Sequence, residues 1–391
     1  MRTSYDAVVV GGGVVGLAAA WRARRRGLRV LVFERECTGA GASGVAAGML
    51  APVTEADFGE ETLLALNLAG LERWPAFAEE LAAQSGDDIG YRRSGALVVA
   101  ADRDDVEELR RLERLQRSLG LEARWLAGRE CRRLEPGLSP RVTGGIEASA
   151  EAHVDPAATV AALRAAHLAA GGELREEAAV ERLEAEPGGN RVRGVVLADG
   201  TSIGAEQVVV AAGAWSASLA GRGDGAHAAP VRPVKGQILT LRGHPDRAPL
   251  AGRLVRTPRC YVVPRADGRV VVGATTEERG FDRRVTAEGV FRLLEAAREV
   301  LPDVDELELL EARAGLRPGT PDNGPIIGRG EVDGLVWATG HGRNGVLLAP
   351  ITGEAVAALL CGEQPPAGAG PFAPGRFARG TAGTAPVLAG G

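Results

Sequence analysis

Lysine is nearly absent from this 391-residue chain: Lys235 is the single one, and the other strong bases are arginines. An enzyme that forms a Schiff base through an internal amine would have one candidate, and it sits in a Pro-Val-Lys-Gly-Gln turn context, which argues against pyridoxal chemistry. Cysteine is also scarce. Cys37, Cys131, Cys260 and Cys361 are widely spaced and share no metal-ligand pattern, so they predict reduced thiols rather than a disulfide framework or a metal site. No apolar run approaches the ~18 residues needed to cross a bilayer. No apolar segment with a small-residue cleavage site precedes the first strand, and the expectation is a soluble cytoplasmic protein without a membrane partner. Excess positive charge is missing too: a formal charge of -5 disfavours nucleic acid as a partner.

Apolar residues, by contrast, are ample. At 45% of a chain this long they supply more than one ordinary core, which predicts two domains or one domain with a large insertion. Asp6 to Val10 is short, β-branched and not alternating, the pattern of a buried parallel strand. Gly11, Gly13 and Gly16 follow at dinucleotide-binding spacing: one for a tight turn, one for backbone approach to a pyrophosphate, one for close helix packing. A helix from about Val14 to Arg26 would aim its N-terminal amides at the phosphates. The strand Arg29 to Phe33 ends at Glu34, an acid placed to accept ribose hydroxyls and to repel the extra phosphate of NADP. FAD and NAD both suit this unit. The small-residue stretch Gly39 to Leu50 permits a second close approach to a flat ligand, although alone it reads as a flexible loop.

Further along, helices are predicted at about 60–84, 102–119 and 156–170, and strands at 92–100, 193–197, 207–211, 259–264 and 269–273, with an extended run at 238–242. The strand ending at Ala211-Ala212-Gly213-Ala214-Trp215 would bring backbone to the nucleotide a second time. Gly221 to Gly225 reads as a surface turn. His153 is an acid–base candidate for which a structural loop role is favoured. The reading is an α/β, Rossmann-like nucleotide domain interrupted by a β-rich α+β substrate domain. The nucleotide domain would comprise residues 1–84, 145–225 and 312–361, and the substrate domain 85–144 and 226–311. Residues 362–391, rich in Gly, Ala and Pro, would form a flexible tail.

Eight ordered segments carry a more specific likeness: 10–16, 41–50, 211–216, 232–237, 260–264, 271–275, 314–322 and 341–350. Through them the chain resembles the FAD-dependent amine oxidoreductases of the D-amino acid oxidase superfamily, and within it the glycine oxidase branch associated with thiamine biosynthesis. The resemblance implies a D-amino acid oxidase-like fold and oxidation of glycine, with sarcosine and small D-amino acids as further substrates. Hydride would pass to the flavin, oxygen would reoxidise it to give hydrogen peroxide, and the imine would serve thiazole synthesis or hydrolyse to glyoxylate. No nucleophile is needed, and a catalytic base is dispensable if the amine binds neutral. Arg317 matches the carboxylate-binding arginine, Tyr261 its phenolic partner, and Arg343 an arginine close to substrate or flavin, with a salt bridge as its other reading.

The resemblance also implies FAD contacts from Gly11, Gly13, Val14, Val15, Gly16, Glu34 and Arg35, and from Ser43, Ala46, Ala47, Gly48 and Met49. It adds Val180, Ala212, Gly213 and Trp215, and then His341, Gly342, Arg343, Asn344, Gly345 and Val346. The last group precedes an apolar helix expected near Gly345, whose positive end would face the flavin. No cysteine lies in 314–320, so the FAD is expected to be non-covalent. Gly342 and Thr276 depart from the aromatic and methionine seen in relatives, which bears on entrance and pocket volume. A homo-oligomer, often a tetramer in this branch, is implied. Three other readings fit parts of the pattern: a sarcosine oxidase or D-amino acid dehydrogenase-type flavoenzyme, an NAD-dependent dehydrogenase, and a non-catalytic flavin-containing amino-acid sensor.

Overall fold

The computed structural model describes residues 5–219 and 229–377. The turn expected at 221–225 and residues 378–391 of the expected tail lie outside the described residues.

The N-terminal unit consists of β1 (Tyr5–Val10), α1 (Val14–Arg25) and β2 (Val30–Phe33). β1 lies inside an eight-stranded sheet, paired in parallel with β2 on one side and Ser202–Val210 on the other. Its continuous apolar run follows from burial on both faces. Ala7 and Val9 point into a helical layer made with α1, Pro156–Ala169 and Ala349–Leu360. Val8 and Val10 point into a layer containing the antiparallel strands Val180–Ala185 and Val192–Leu197. Successive residues of a strand face opposite ways, so a strand between two apolar layers cannot alternate in polarity. Trp21 of α1 and Trp74 of the helix Glu61–Ser85 both meet Phe77 edge-on, at centroid distances of 5.6 and 5.3 Å. Edge-to-face pairs of this kind add ~0.5–1.5 kcal/mol each beyond area burial.

A second eight-stranded sheet runs in the order Glu308–Gly319, Arg232–Arg242, Arg269–Gly273, Tyr261–Pro264, Leu254–Arg256, Ala96–Ala100, Gly144–Ala148, Arg124–Ala127. Apart from one parallel pairing it is antiparallel, assembled from three stretches of sequence. The amphipathic helix Ala287–Val300, capped by the Thr286 side chain, buries Leu293, Ala297 and Val300 with Leu239, Leu241 and Val272 of this sheet. Two arginines tie the sheet to the nucleotide side. Arg265 donates to the Ala47 carbonyl at 2.5 Å, and Arg269 to Asp155 at 2.6 Å.

Four expectations need correction. The division at 144/145 cuts through the strand Gly144–Ala148, which pairs in the second sheet along its length. The division at 311/312 likewise cuts the strand Glu308–Gly319, which pairs with Arg232–Arg242 from end to end with one register shift at Thr240/Leu241. The C-terminal apolar helix spans Ala349–Leu360 rather than starting near Gly345, and the intervening residues form turns, with Leu348 N–H on the Asn344 carbonyl at 2.9 Å. Finally, residues 362–377 are not a free tail. Phe372 buries itself among Leu63, Leu66, Leu348 and Ile351, and Arg376 binds Asp322 at 2.7 Å. One aromatic and one arginine suffice to dock a segment whose Gly/Pro content otherwise reads as unstructured.

Candidate active site

At the C-terminal end of β1 the chain turns into α1, and the packing there leaves no room for side chains. A Cβ on Gly16 would lie 2.0 Å from the Gly11 carbonyl oxygen. Gly11 has φ +115, in the region that favours glycine, and a Cβ there would sit 2.4 Å from the Ala211 carbonyl. The start of α1 carries no acidic residue in its first turn and no side chain on its N-cap, Gly13. Its positive end therefore opens into the neighbouring cavity, apart from the Val14 N–H, which donates to Ser43 Oγ at 3.0 Å. Glu34 closes the far side. Its Oε2 accepts the Gly12 N–H at 2.8 Å and its Oε1 the Glu36 N–H at 3.0 Å. Each oxygen keeps acceptor capacity for a further donor such as a ribose hydroxyl. Arg35 lies over the Trp215 ring at 3.6 Å, forming one wall.

The cavity holds about 300 Å³ and runs from this mouth between the two sheets to Tyr261, Arg317 and Arg343. A second, outer chamber of about 360 Å³ meets it there. Glu55, Tyr261, Arg317, Gly342 and Arg343 line both. Arg317 and Tyr261 reach this junction because glycines face them across the sheet. Cβ atoms at Gly236 and Gly273 would lie 2.4 Å from the Arg317 guanidinium and 2.5 Å from the Tyr261 phenol. Arg317 donates to the Thr275 carbonyl at 3.0 Å and makes no ion pair with a described carboxylate. Burial raises the Tyr261 pKa and the neighbouring Arg317 charge pulls it down; the net shift is upward, so the phenol stays protonated and able to donate. Arg343 is paired with Glu60 at 2.6 Å. Burial opposes its charge, but Glu55 and Glu60 outweigh that and raise its pKa.

Most of the residues expected at a flavin converge on the cavity. Val14, Val15, Arg35, Ser43, Ala46, Ala47, Gly48 and Met49 line it, as do Val180, Ala212, Gly213, Trp215, His341, Gly345 and Val346. Two do not. Gly16 acts behind the wall, through its contact with Gly11. Asn344 is buried away from the cavity lining, where the chain folds back on itself through the Asn344 N–H bond to the His341 carbonyl at 2.8 Å. His341 bonds Thr352 at 3.0 Å, and burial pushes its pKa down to about 3, so it is neutral and unsuited to carrying a proton. His153 lies outside the cavity, in the strand Ala152–His153 paired with Met49–Leu50, which fits its structural reading. Thr276 lines the outer chamber. Sequence reasoning missed Glu55, one acid among many in a loop. Its signal, an acid just beyond the small-residue stretch that ends at Leu50, is faint without the fold.

Residues 6–359 match the family described as FAD dependent oxidoreductase, DAO. The chain is 36% identical to glycine oxidase of Geobacillus kaustophilus over 363 residues, 92% of this chain and 94% of that protein. It is 34% identical to the bifunctional protein ThiO/ThiG of Synechocystis sp. over 382 residues, 96% of this chain but 55% of that protein, so it spans about half of the bifunctional relative. The crystal structure of glycine oxidase from Geobacillus kaustophilus superposes with a TM-score of 0.87 at 35% identity, covering 95% of this chain and 98% of that one.

Proposed function

The chain belongs to the FAD-dependent oxidoreductase family, and from that membership we propose that it is a glycine oxidase, acting also on sarcosine and small D-amino acids. Glycine, water and oxygen would give glyoxylate, ammonia and hydrogen peroxide through an imine. FAD, held without a covalent link, supplies the hydride acceptor when bound. The glycine turn, the open start of α1 and Glu34 would hold its pyrophosphate and ribose, and the residues from His341 to Val346 that line the cavity would contact its ring.

The observation that carries the reading is Arg317. Among the described residues it is a guanidinium without a carboxylate partner, beside a protonated tyrosine, where the nucleotide cavity meets an outer chamber. A substrate carboxylate there gains two parallel charge-assisted hydrogen bonds from the arginine and a third from Tyr261. That grip fixes the carbon next to the carboxylate, the carbon to be oxidised, and orientation of this kind lowers the barrier without any nucleophile. Arg343, neutralised by Glu60, serves as a wall of the site rather than a second carboxylate receptor. The likeness to ThiO/ThiG supports a role for the imine product in building the thiazole of thiamine. We further propose a cytoplasmic homo-oligomer; no helix among the described residues is long and apolar enough to cross a membrane.

The test is the visible spectrum of the purified protein, recorded without oxygen before and after glycine is added. A yellow flavin spectrum that bleaches is the expected result, followed by peroxide release when air is admitted. A flavin spectrum that neither glycine nor any other amine bleaches would replace the oxidase with an amino-acid sensor.

A further inference from the structure

We propose that Glu55 receives the amine end of the substrate, and so makes the enzyme selective for amino acids over carboxylates that lack an amine; this rests on the amino-acid oxidase reading above. Among the described residues Glu55 is the one carboxylate that lines both chambers, and it shares that junction with Tyr261, Arg317 and Arg343. Its side chain is only 13% exposed, and its one ion pair among the described residues is loose: Arg256 stands 3.7 Å from Oε1, beyond hydrogen-bond reach, which leaves both oxygens able to accept. The other acids around the chambers are engaged. Glu60 holds Arg343, Glu278 holds Arg232, and Glu34 and Glu36 lie at the opposite end, beyond β2. The Glu55 charge nevertheless reaches into the site, raising the pKa of both Tyr261 and Arg343.

An amino acid enters as a zwitterion. Once Arg317 has taken its carboxylate, the ammonium group leaves water and requires an acceptor, because an unpaired charge in a closed cavity is costly. The junction's other side chains are arginines and a phenol, none of which accepts from an ammonium as a carboxylate does. Glu55 is also held in place from behind. The backbone N–H and hydroxyl of Thr54 donate to the buried Glu151 at 2.7 and 2.8 Å, and Arg256 donates to the Thr54 carbonyl at 2.5 Å. The loop is thus pinned one residue before Glu55, which lines both chambers. The arrangement suits primary and N-alkylated α-amino acids, whose nitrogen is cationic; acetate can use Arg317 and Tyr261 but gains nothing from Glu55.

The experiment compares glycine with acetate on the FAD-loaded protein. Glycine affinity is measured from the concentration dependence of anaerobic flavin bleaching, and acetate affinity from its perturbation of the flavin spectrum. In Glu55→Gln, glycine affinity is expected to fall ~10-fold or more while acetate affinity stays within ~2-fold, since only glycine has an ammonium to lose a charged partner. Glu55→Asp, which keeps the charge, should recover part of the glycine affinity with acetate again unmoved. Equal losses for the two ligands, or unchanged glycine affinity, would overturn the proposal. Should Glu55→Gln fail to retain FAD, Glu55→Ala decides by the same comparison against the unaltered protein. Glycine weakened more than acetate supports the assignment, and equal or no change refutes it. An unaltered protein that no amine reduces would remove the oxidase reading itself, a result separate from the variants.

Discussion

The two walls of the cavity are built by different means. The nucleotide wall is mostly backbone: a strand end, three glycines, the start of α1 and one carboxylate, all between Tyr5 and Glu34. The substrate wall is mostly side chain, with Glu55, Tyr261, Arg317 and Arg343 drawn from four separate stretches. A backbone wall tolerates changes of side-chain chemistry but not of volume. The side-chain wall tolerates neither loss of charge nor loss of the glycines that leave room for it. On the proposed reading the cavity would retain its cofactor while its substrate changes, because different atoms would do the two jobs.

The sharpest way to break this contrast is to add volume to the backbone wall. Gly16→Val places carbon 2.0 Å from the Gly11 carbonyl, so α1 must move off the sheet. The expected result is a protein purified without FAD and not reconstituted by it, a loss of affinity of ~1000-fold or more, since small-to-large changes at a close backbone contact force the elements apart. Equilibrium titration with FAD, followed by flavin fluorescence, checks this. A normal FAD content would show that the contact relaxes and that the turn is not a constraint.

Removing charge from the other wall should have the opposite selectivity. Arg317→Ala is expected to leave FAD bound while kcat/KM for glycine falls by ~30- to 4000-fold, the equivalent of ~2–5 kcal/mol for truncating a buried charged partner. Steady-state oxygen uptake together with the flavin content of the same sample measures both halves at once. Unchanged kinetics would remove Arg317 from the site. Joint loss of flavin and activity would mean that the walls are not separable.

The smallest effect expected is on stability, and it concerns the support behind the substrate wall. Glu151 is fully buried, and burial raises its pKa from 4.5 to about 7. Between those values the folded protein holds a proton that the unfolded chain has released, so the stability present below pH 4.5 is lost as pH rises toward 7. Glu151→Gln cannot ionise and escapes that loss. Relative to the unaltered protein it should gain stability between pH 5 and pH 8, by up to ~3 kcal/mol. Urea unfolding of the pair at the two pH values tests the sign. A difference that does not change with pH would mean that Glu151 is ionised throughout.

Legibility in the sequence follows the same divide. Gly11, Gly13, Gly16 and Glu34 could be read directly, because their spacing encodes a local path of the backbone. Arg317 and Tyr261 were legible only through likeness to a family, since nothing in 314–322 or 260–264 alone says that two strands carry them to one cavity. Glu55 was missed because its meaning depends on what stands opposite. Asn344 was misplaced for the converse reason: its neighbours in sequence line the cavity, but the turn through 341–348 points it elsewhere. Phe372 and Arg376 were hidden by the glycines and prolines around them, whereas Phe372 fills a buried site against Leu63 and Leu348.

By itself, then, the sequence determined the nucleotide fold unit, the predominance of arginine over lysine, and the absence of cysteine from 314–320. Only the tertiary structure decided that Arg317 stands at the junction of the two chambers without an ion pair to a described carboxylate, which acid lines both chambers, and where the second sheet begins and ends. The reason is physical. A backbone turn is specified by steric limits on a few consecutive residues, whereas a charged site is specified by desolvation and by the partners that distant strands bring within a few ångströms.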